Sequence, residues 1–204
     1  DKELQRRGHR FVRYADDANV YVRSVQAGER VMALLRRLYG QLHLTVNETK
    51  SAVASVFGRK FLGYSLWVAR GGEVKRRVAD KPMATFKQTV RRLTRRSGGC
   101  SMHQVVERLR PYLLGWQAYY GLAQTPRVWR ELDEGLRHRL RAIQLKQWKR
   151  GITPYRELRA LGASVDVAAP VAANTRHWWR NSGGLLNSVL TIAWFDRLGL
   201  PRLS

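Results

Sequence analysis

A single cysteine, Cys100, in 204 residues excludes an internal disulfide and suits a reducing compartment. The five histidines, at 9, 43, 103, 138 and 177, have no cysteine or histidine partner at ligand spacing, so a zinc centre is not expected and each reads as a surface or nucleic-acid contact. Apolar runs all fall short of the ~18 residues of a spanning helix, which excludes a helical membrane protein. The opening Asp1-Lys2-Glu3 is not a signal peptide, and the expectation is a soluble, intracellular chain. Internal repeats and low-complexity tracts are also lacking.

Acidic residues are scarce as well. There are 15 Asp and Glu against 38 Lys and Arg, a net charge of +23, with an isoelectric point near 11.4. Such a chain repels itself unless a polyanion matches its field, so nucleic acid is the leading partner. The excess is uneven. Residues 1–74 carry 13 basic and 7 acidic groups, residues 75–150 carry 19 and 5 (net +14), and residues 151–204 carry 6 and 3.

The stretch that organises the chain is Tyr14-Ala15-Asp16-Asp17. Phe11 to Ala15 and Ala18 to Val22 are rich in aromatic and β-branched residues, so each reads as a strand with two carboxylates at the bend. Adjacent Asp residues repel, and a cation that neutralises them is one explanation. An ordinary Asp-rich turn is the other. Taken alone, the four residues leave both open.

Helical periodicity follows from about Gln26 to Tyr39, with Val31, Leu34, Leu35 and Leu38 on one face and Gly40 as the stop. Alternation through residues 42–46 and 52–56 predicts a loop and a strand. Residues 61–68 read as one strand, which Gly71-Gly72 turns back through Glu73-Val74-Lys75. From there the chain becomes helical. Asp80-Lys81-Pro82 opens a helix with Met83, Phe86, Val90 and Leu93 on its apolar face. Ser101 and Gln104 form a capping-box pattern, and Pro111 predicts a kink or break at Arg110. Thr125-Pro126 starts a long helix striped by Val128, Trp129, Leu132, Leu136, Leu140 and Ile143. A short helix is expected between Thr153-Pro154 and Gly162, weak structure over 163–170, and a buried C-terminal helix over 185–198. The fold class is α+β.

Three motifs, Phe-Val-Arg-Tyr-Ala-Asp-Asp (11–17), Leu-x-Leu-x-x-Asn-x-x-Lys (42–50) and Phe-Leu-Gly-Tyr (61–64), stand in order and at the spacing of the later palm motifs of bacterial group II intron reverse transcriptases. Lys81-Pro82 through Leu114-x-Trp116-x-x-Tyr119-Tyr120 resembles the thumb, or maturase-specific domain, of that family. Trp178-Trp179-Arg180-Asn181-Ser182 and Phe195-Asp196-x-Leu198-Gly199 resemble its C-terminal region, so nearly the whole chain is covered. The resemblance implies three parts: the C-terminal part of the palm over 1–75, a helical thumb over 76–124 and a basic nucleic-acid-binding region over 125–204.

It also implies an RNA-directed DNA polymerase that uses Mg²⁺, with Asp16 the principal metal ligand and Asp17 its neighbour. Tyr14 and Ala15 would line the nucleotide site, Lys50 would assist the phosphates or simply end a surface loop, and Phe61, Leu62 and Gly63 would form a primer grip. The partners implied are group II intron RNA and an RNA template with a DNA primer, in a bacterial cytoplasm. A further catalytic Asp and the fingers are expected upstream. They are not in these 204 residues, so a second polypeptide is a possible source of them and the chain by itself is expected to be inactive. For binding nucleic acid, the basic candidates are Lys75, Arg76, Lys87, Arg91, Arg92, Arg95, Arg96, Arg137, Arg141, Lys146, Lys149, Arg150, Arg176 and Arg180. A non-catalytic RNA-binding splicing factor that keeps the hairpin as scaffold is the alternative.

Overall fold

The aromatic and β-branched residues around Asp16 pair as an antiparallel hairpin in the computed structural model, which describes residues 1–149 and 151–204. Strands β1 (Arg10–Tyr14) and β2 (Asp17–Tyr21) are in register from Arg10 opposite Tyr21 to Tyr14 opposite Asp17, which leaves Ala15 and Asp16 as a two-residue turn. Ala15 takes φ +52, a left-handed conformation unusual for a residue with a Cβ. A one-turn helix, α1 (Lys2–Arg6), precedes the hairpin where the sequence shows no periodicity. Buried Leu4 anchors it, and Arg6 and Arg7 both hydrogen-bond Glu3 and hold its carboxyl down to about 2.

Helix α2 (Val25–Gln41) starts at Ser24, whose hydroxyl accepts from the Ala27 N–H at 3.2 Å. It buries Val31 and Leu34. Gly40 lies inside its last turn, and the left-handed residue that follows is His43 at φ +57. The strand expected over 52–56 does not form. Alternation makes an extended segment, but a strand needs a paired neighbour. Here Val53 packs instead on Gly28 of α2, where an added Cβ would collide with its side chain.

The chain divides into two compact units, Asp1–Phe57 and Gly58–Ser204. The second begins with a three-stranded antiparallel sheet, β3 (Lys60–Phe61), β4 (Tyr64–Val68) and β5 (Val74–Val78). Residues 61–68 are therefore two strands, separated by Leu62 and Gly63 at φ +50 and +78, the geometry of a primed hairpin turn.

Helix α3 (Asp80–Leu93) buries Phe86 and Val90 against α4 (Met102–Tyr120). The Phe86 ring lies 4.6 Å from Trp116 and 5.7 Å from Tyr112, centroid to centroid. Both bonds of the capping box form at Ser101, with Gln104 N–H donating to its hydroxyl and Ser101 N–H to the Gln104 side chain. The break expected at Pro111 is absent. Proline removes one helical bond and crowds the carbonyl four residues back, a cost of about 3 kcal/mol. Leu109 and Leu113, on either side of it and fully buried, offset that cost and keep the segment helical.

Helix α5 (Pro126–Gln147) carries the expected stripe, with Leu136, Leu140 and Ile143 buried. Beyond it come α6 (Ile152–Ala160), α7 (Val165–Ala173), a 3-10 turn (Thr175–His177), α8 (Trp178–Gly183), a second 3-10 turn (Leu185–Ser188) and α9 (Ile192–Arg197). Residues 165–173 are thus helical rather than weakly structured, because Ala168 and Val171 are fully buried. The C-terminal apolar run is not one helix either: Thr191 caps a new start by accepting from Trp194 N–H at 3.3 Å. The whole is α+β, with two small antiparallel sheets among the described residues. No described helix is long and apolar enough to cross a membrane.

Phe86 is 1 % exposed. Its truncation to Ala is expected to cost about 3–5 kcal/mol by chemical denaturation, while Arg91→Ala on the exposed surface of the same helix stays within about 0.5 kcal/mol.

Candidate functional site

In the first unit the candidate residues are at the surface. Tyr14, Ala15, Asp16 and Asp17 are all exposed at the end of the hairpin, and Lys50 is exposed beside the turn built on Asn47. Among the described residues no group of three or more His, Cys, Asp or Glu could hold a metal ion. Two neighbouring carboxylates fit part of a Mg²⁺ shell, which is octahedral and is commonly completed by water and by substrate phosphates.

In the second unit the Leu62–Gly63 turn is held by tyrosines from the end of α4. Tyr119 donates its hydroxyl proton to Leu62 O at 3.1 Å, and Tyr64 donates its own to Tyr119 O. A Cβ on Gly63 would stand 2.6 Å from the Tyr120 hydroxyl, so both its φ and its surroundings require glycine. Burial raises the Tyr64 and Tyr120 phenols above their ordinary range. Sequence reasoning places Phe61 to Gly63 but misses Tyr64 and Tyr119 as the residues that fix the turn. Both stand in motifs singled out above, but nothing local in the sequence brings residue 119 to residue 62, 57 positions away.

The basic candidates separate into three groups. Lys87, Arg91, Arg92 and Arg95 are exposed, and no ion pair among the described residues holds any of them. Lys87 and Arg91 are four apart on α3, so these like charges stand one above the other, and Arg95 follows just past the end of the helix. Arg76, Lys146, Lys149, Arg176 and Arg180 are exposed too, whereas Lys75 is half-buried and pairs with Glu73 at 3.0 Å. Arg96 is half-buried, with its guanidinium 4.2 Å from the centre of the Trp178 ring. Arg150 lies outside the described residues.

Arg137 and Arg141 are a correction. They are 3 % and 6 % exposed, inside the protein rather than on a nucleic-acid face. Arg137 pairs with Asp133 at 2.9 Å, and Asp133 also accepts from the backbone N–H groups of Leu203 and Ser204 and from the Ser204 hydroxyl. Arg141 donates to Leu190 O at 2.9 Å and lies 5.6 Å from the Phe195 ring centre. Burial, then the like charge of Arg137, pushes its guanidinium down to about 10. A signal was available in the sequence: Asp133 and Arg137 are four apart on a helix.

The end of α3 meets α5 and α8. Arg139 of α5 donates to the Thr94 hydroxyl at 2.7 Å and to Arg91 O at 3.4 Å. Its neighbour His138 stacks on Trp179, centroids 3.9 Å apart and planes 23° from parallel, and bonds Trp179 O through Nε2 at 2.9 Å. Arg96, next to exposed Arg95, covers the Trp178 ring, so the segment that follows α3 touches the start of α8. Trp178 packs on the core and Trp179 is 45 % exposed.

The second unit thus presents Lys87, Arg91, Arg92 and Arg95 without ion-pair partners among the described residues, and an exposed Trp179 on α8. Residues 83–162 match the family model of the group II intron maturase-specific domain. No curated protein matches the chain.

Asp133→Ala would leave the Arg137 guanidinium buried without its carboxylate. The expected loss is about 3–5 kcal/mol of stability by denaturant titration, accompanied by faster backbone hydrogen exchange at Leu203.

Proposed function

We propose that this chain is part of a group II intron-encoded maturase: its second unit binds the intron RNA, and its first contributes carboxylates to an RNA-directed DNA polymerase centre. The observation that carries this reading is the match of residues 83–162 to the maturase-specific domain. That span contains the unpaired ridge of Lys87, Arg91, Arg92 and Arg95, which supports a phosphate backbone as the ligand. Arg76, Lys146, Lys149, Arg176 and Arg180 extend the cationic surface.

Asp16 and Asp17 would hold Mg²⁺, which when bound stabilises the negative charge that develops in nucleotidyl transfer. Tyr14 and Ala15 would border the nucleotide, and Lys50 would meet its phosphates. In the second unit the Leu62–Gly63 turn would bring bare backbone to the primer strand, with Tyr119 and Tyr64 fixing its shape. The remaining metal ligands would come from residues beyond these 204. The lack of a third carboxylate beside the pair, among the described residues, favours the second reading, an RNA-binding splicing factor without polymerase activity.

Two outcomes test this. Affinity for intron RNA is expected to fall steeply with salt, the log–log slope being about −0.7 per phosphate contacted for single strands, and Arg91→Glu with Arg95→Glu should flatten it. A slope unmoved by those changes would mean the ridge is merely solvated. For catalysis, primer extension should appear only when the upstream palm and fingers are supplied, and Asp16→Ala should abolish it. Extension that survives Asp16→Ala would remove Asp16 from the metal site, whereas no extension even with those parts supplied would favour the splicing-factor reading.

A further inference from the structure

Trp179 is unusual for a large aromatic residue on a helical domain. It is 45 % exposed, yet its orientation is fixed. The His138 imidazole stacks on it at 3.9 Å, 23° from parallel, and bonds the Trp179 carbonyl oxygen, and the Trp178 ring stands edge-on at 5.5 Å and 80°. Trp178 is itself covered by the Arg96 guanidinium at 4.2 Å. His138 also occupies the space beside Gly183, where an added Cβ would approach its ring to 2.9 Å. Leaving so much indole in water forgoes the burial that its area would otherwise provide. Fixing it there also spends side-chain entropy that a solvated aromatic would keep.

We infer that Trp179, backed by His138, is a stacking platform for an unpaired nucleobase of single-stranded RNA, with exposed Arg180 and Arg176 placed to take the flanking phosphates. This rests on the RNA-binding reading and adds to it a site that recognises the base rather than the charge. Every base has a π-face, so an ordered indole accepts any of them, while the cations beside it hold the backbone. Duplex RNA offers no such face, because its bases are already stacked.

The test uses the full chain, a labelled single-stranded 12-nucleotide RNA, and the same strand with all bases removed. Trp179→Ala is expected to weaken binding of the base-containing strand about tenfold or more while leaving the salt slope unchanged. Wild-type protein should bind the abasic strand about as weakly as Trp179→Ala binds the intact one, and Trp179→Ala should scarcely distinguish the two strands. Trp179→Phe, which keeps an aromatic face in the same fold, should retain most of the affinity. Failure of the RNA-binding reading would look different, with wild type binding neither strand in a salt-dependent way, and that result overturns both claims. Salt-dependent binding that is the same for wild type and Trp179→Ala, or equal loss by Trp179→Ala on both strands, overturns the platform alone and assigns the exposed indole to some other partner, such as a protein.

Discussion

Helix α5 has to bury two arginines and an aspartate among its leucines, and the C-terminal third of the molecule is arranged to make that burial tolerable. Desolvating a guanidinium costs several kcal/mol unless a carboxylate or carbonyl replaces the lost water. Asp133 neutralises Arg137, and its remaining lone pairs are filled by the backbone N–H groups of residues 203 and 204. Arg141 finds the Leu190 carbonyl at the break between the second 3-10 turn and α9. The interruption of the C-terminal apolar run therefore has a purpose: a continuous helix would commit that carbonyl to its own backbone. Arg110 of α4 uses the same device, donating to Gly199 O at 3.0 Å.

Two kinds of arginine follow. Those on α5 that face the chain's end have protein partners and contribute to stability. Those on the outer side of α3 have none, and their mutual repulsion is relieved only by counterions or a polyanion. Helix α3 makes the division within a few residues. Phe86 packs on Trp116 and Tyr112 and Val90 is buried, while Lys87 and Arg91, one position later, face water. Arg139 ties the end of this helix to α5 and, through its neighbour His138, to Trp179. The packed core thus fixes the relative placement of charge and aromatic surface.

Much of this was legible in the residues. Period-3.6 stripes located α2, α3 and α5, because each buries one face against a neighbour, and the Ser101 capping box was visible because it is local. The failures lie where tertiary contacts outweigh local preference. Pro111 did not end α4, since Leu109 and Leu113 are both held in the core. Residues 165–173 became helical because Ala168 and Val171 are enclosed. Val53 is held extended by the lack of a side chain at Gly28, which no strand pattern encodes. At the candidate site, the Asp-Asp turn and the ridge on α3 were readable as motif and charge. Composition counts buried and exposed arginines alike, so Arg137 and Arg141 could not be set apart by charge. Nor could His138 be recognised as the support of Trp179, 41 residues away.

Photo-crosslinking of the full chain to 4-thiouridine-containing single-stranded RNA, with the crosslinked peptides identified by mass spectrometry, asks most directly whether the outer side of α3 and the adjoining aromatic surface bind RNA. Crosslinks concentrated in residues 87–96 and 176–180, suppressed by high salt, are the expected result. Crosslinks confined to other faces of the second unit, with none in those two segments, would contradict it.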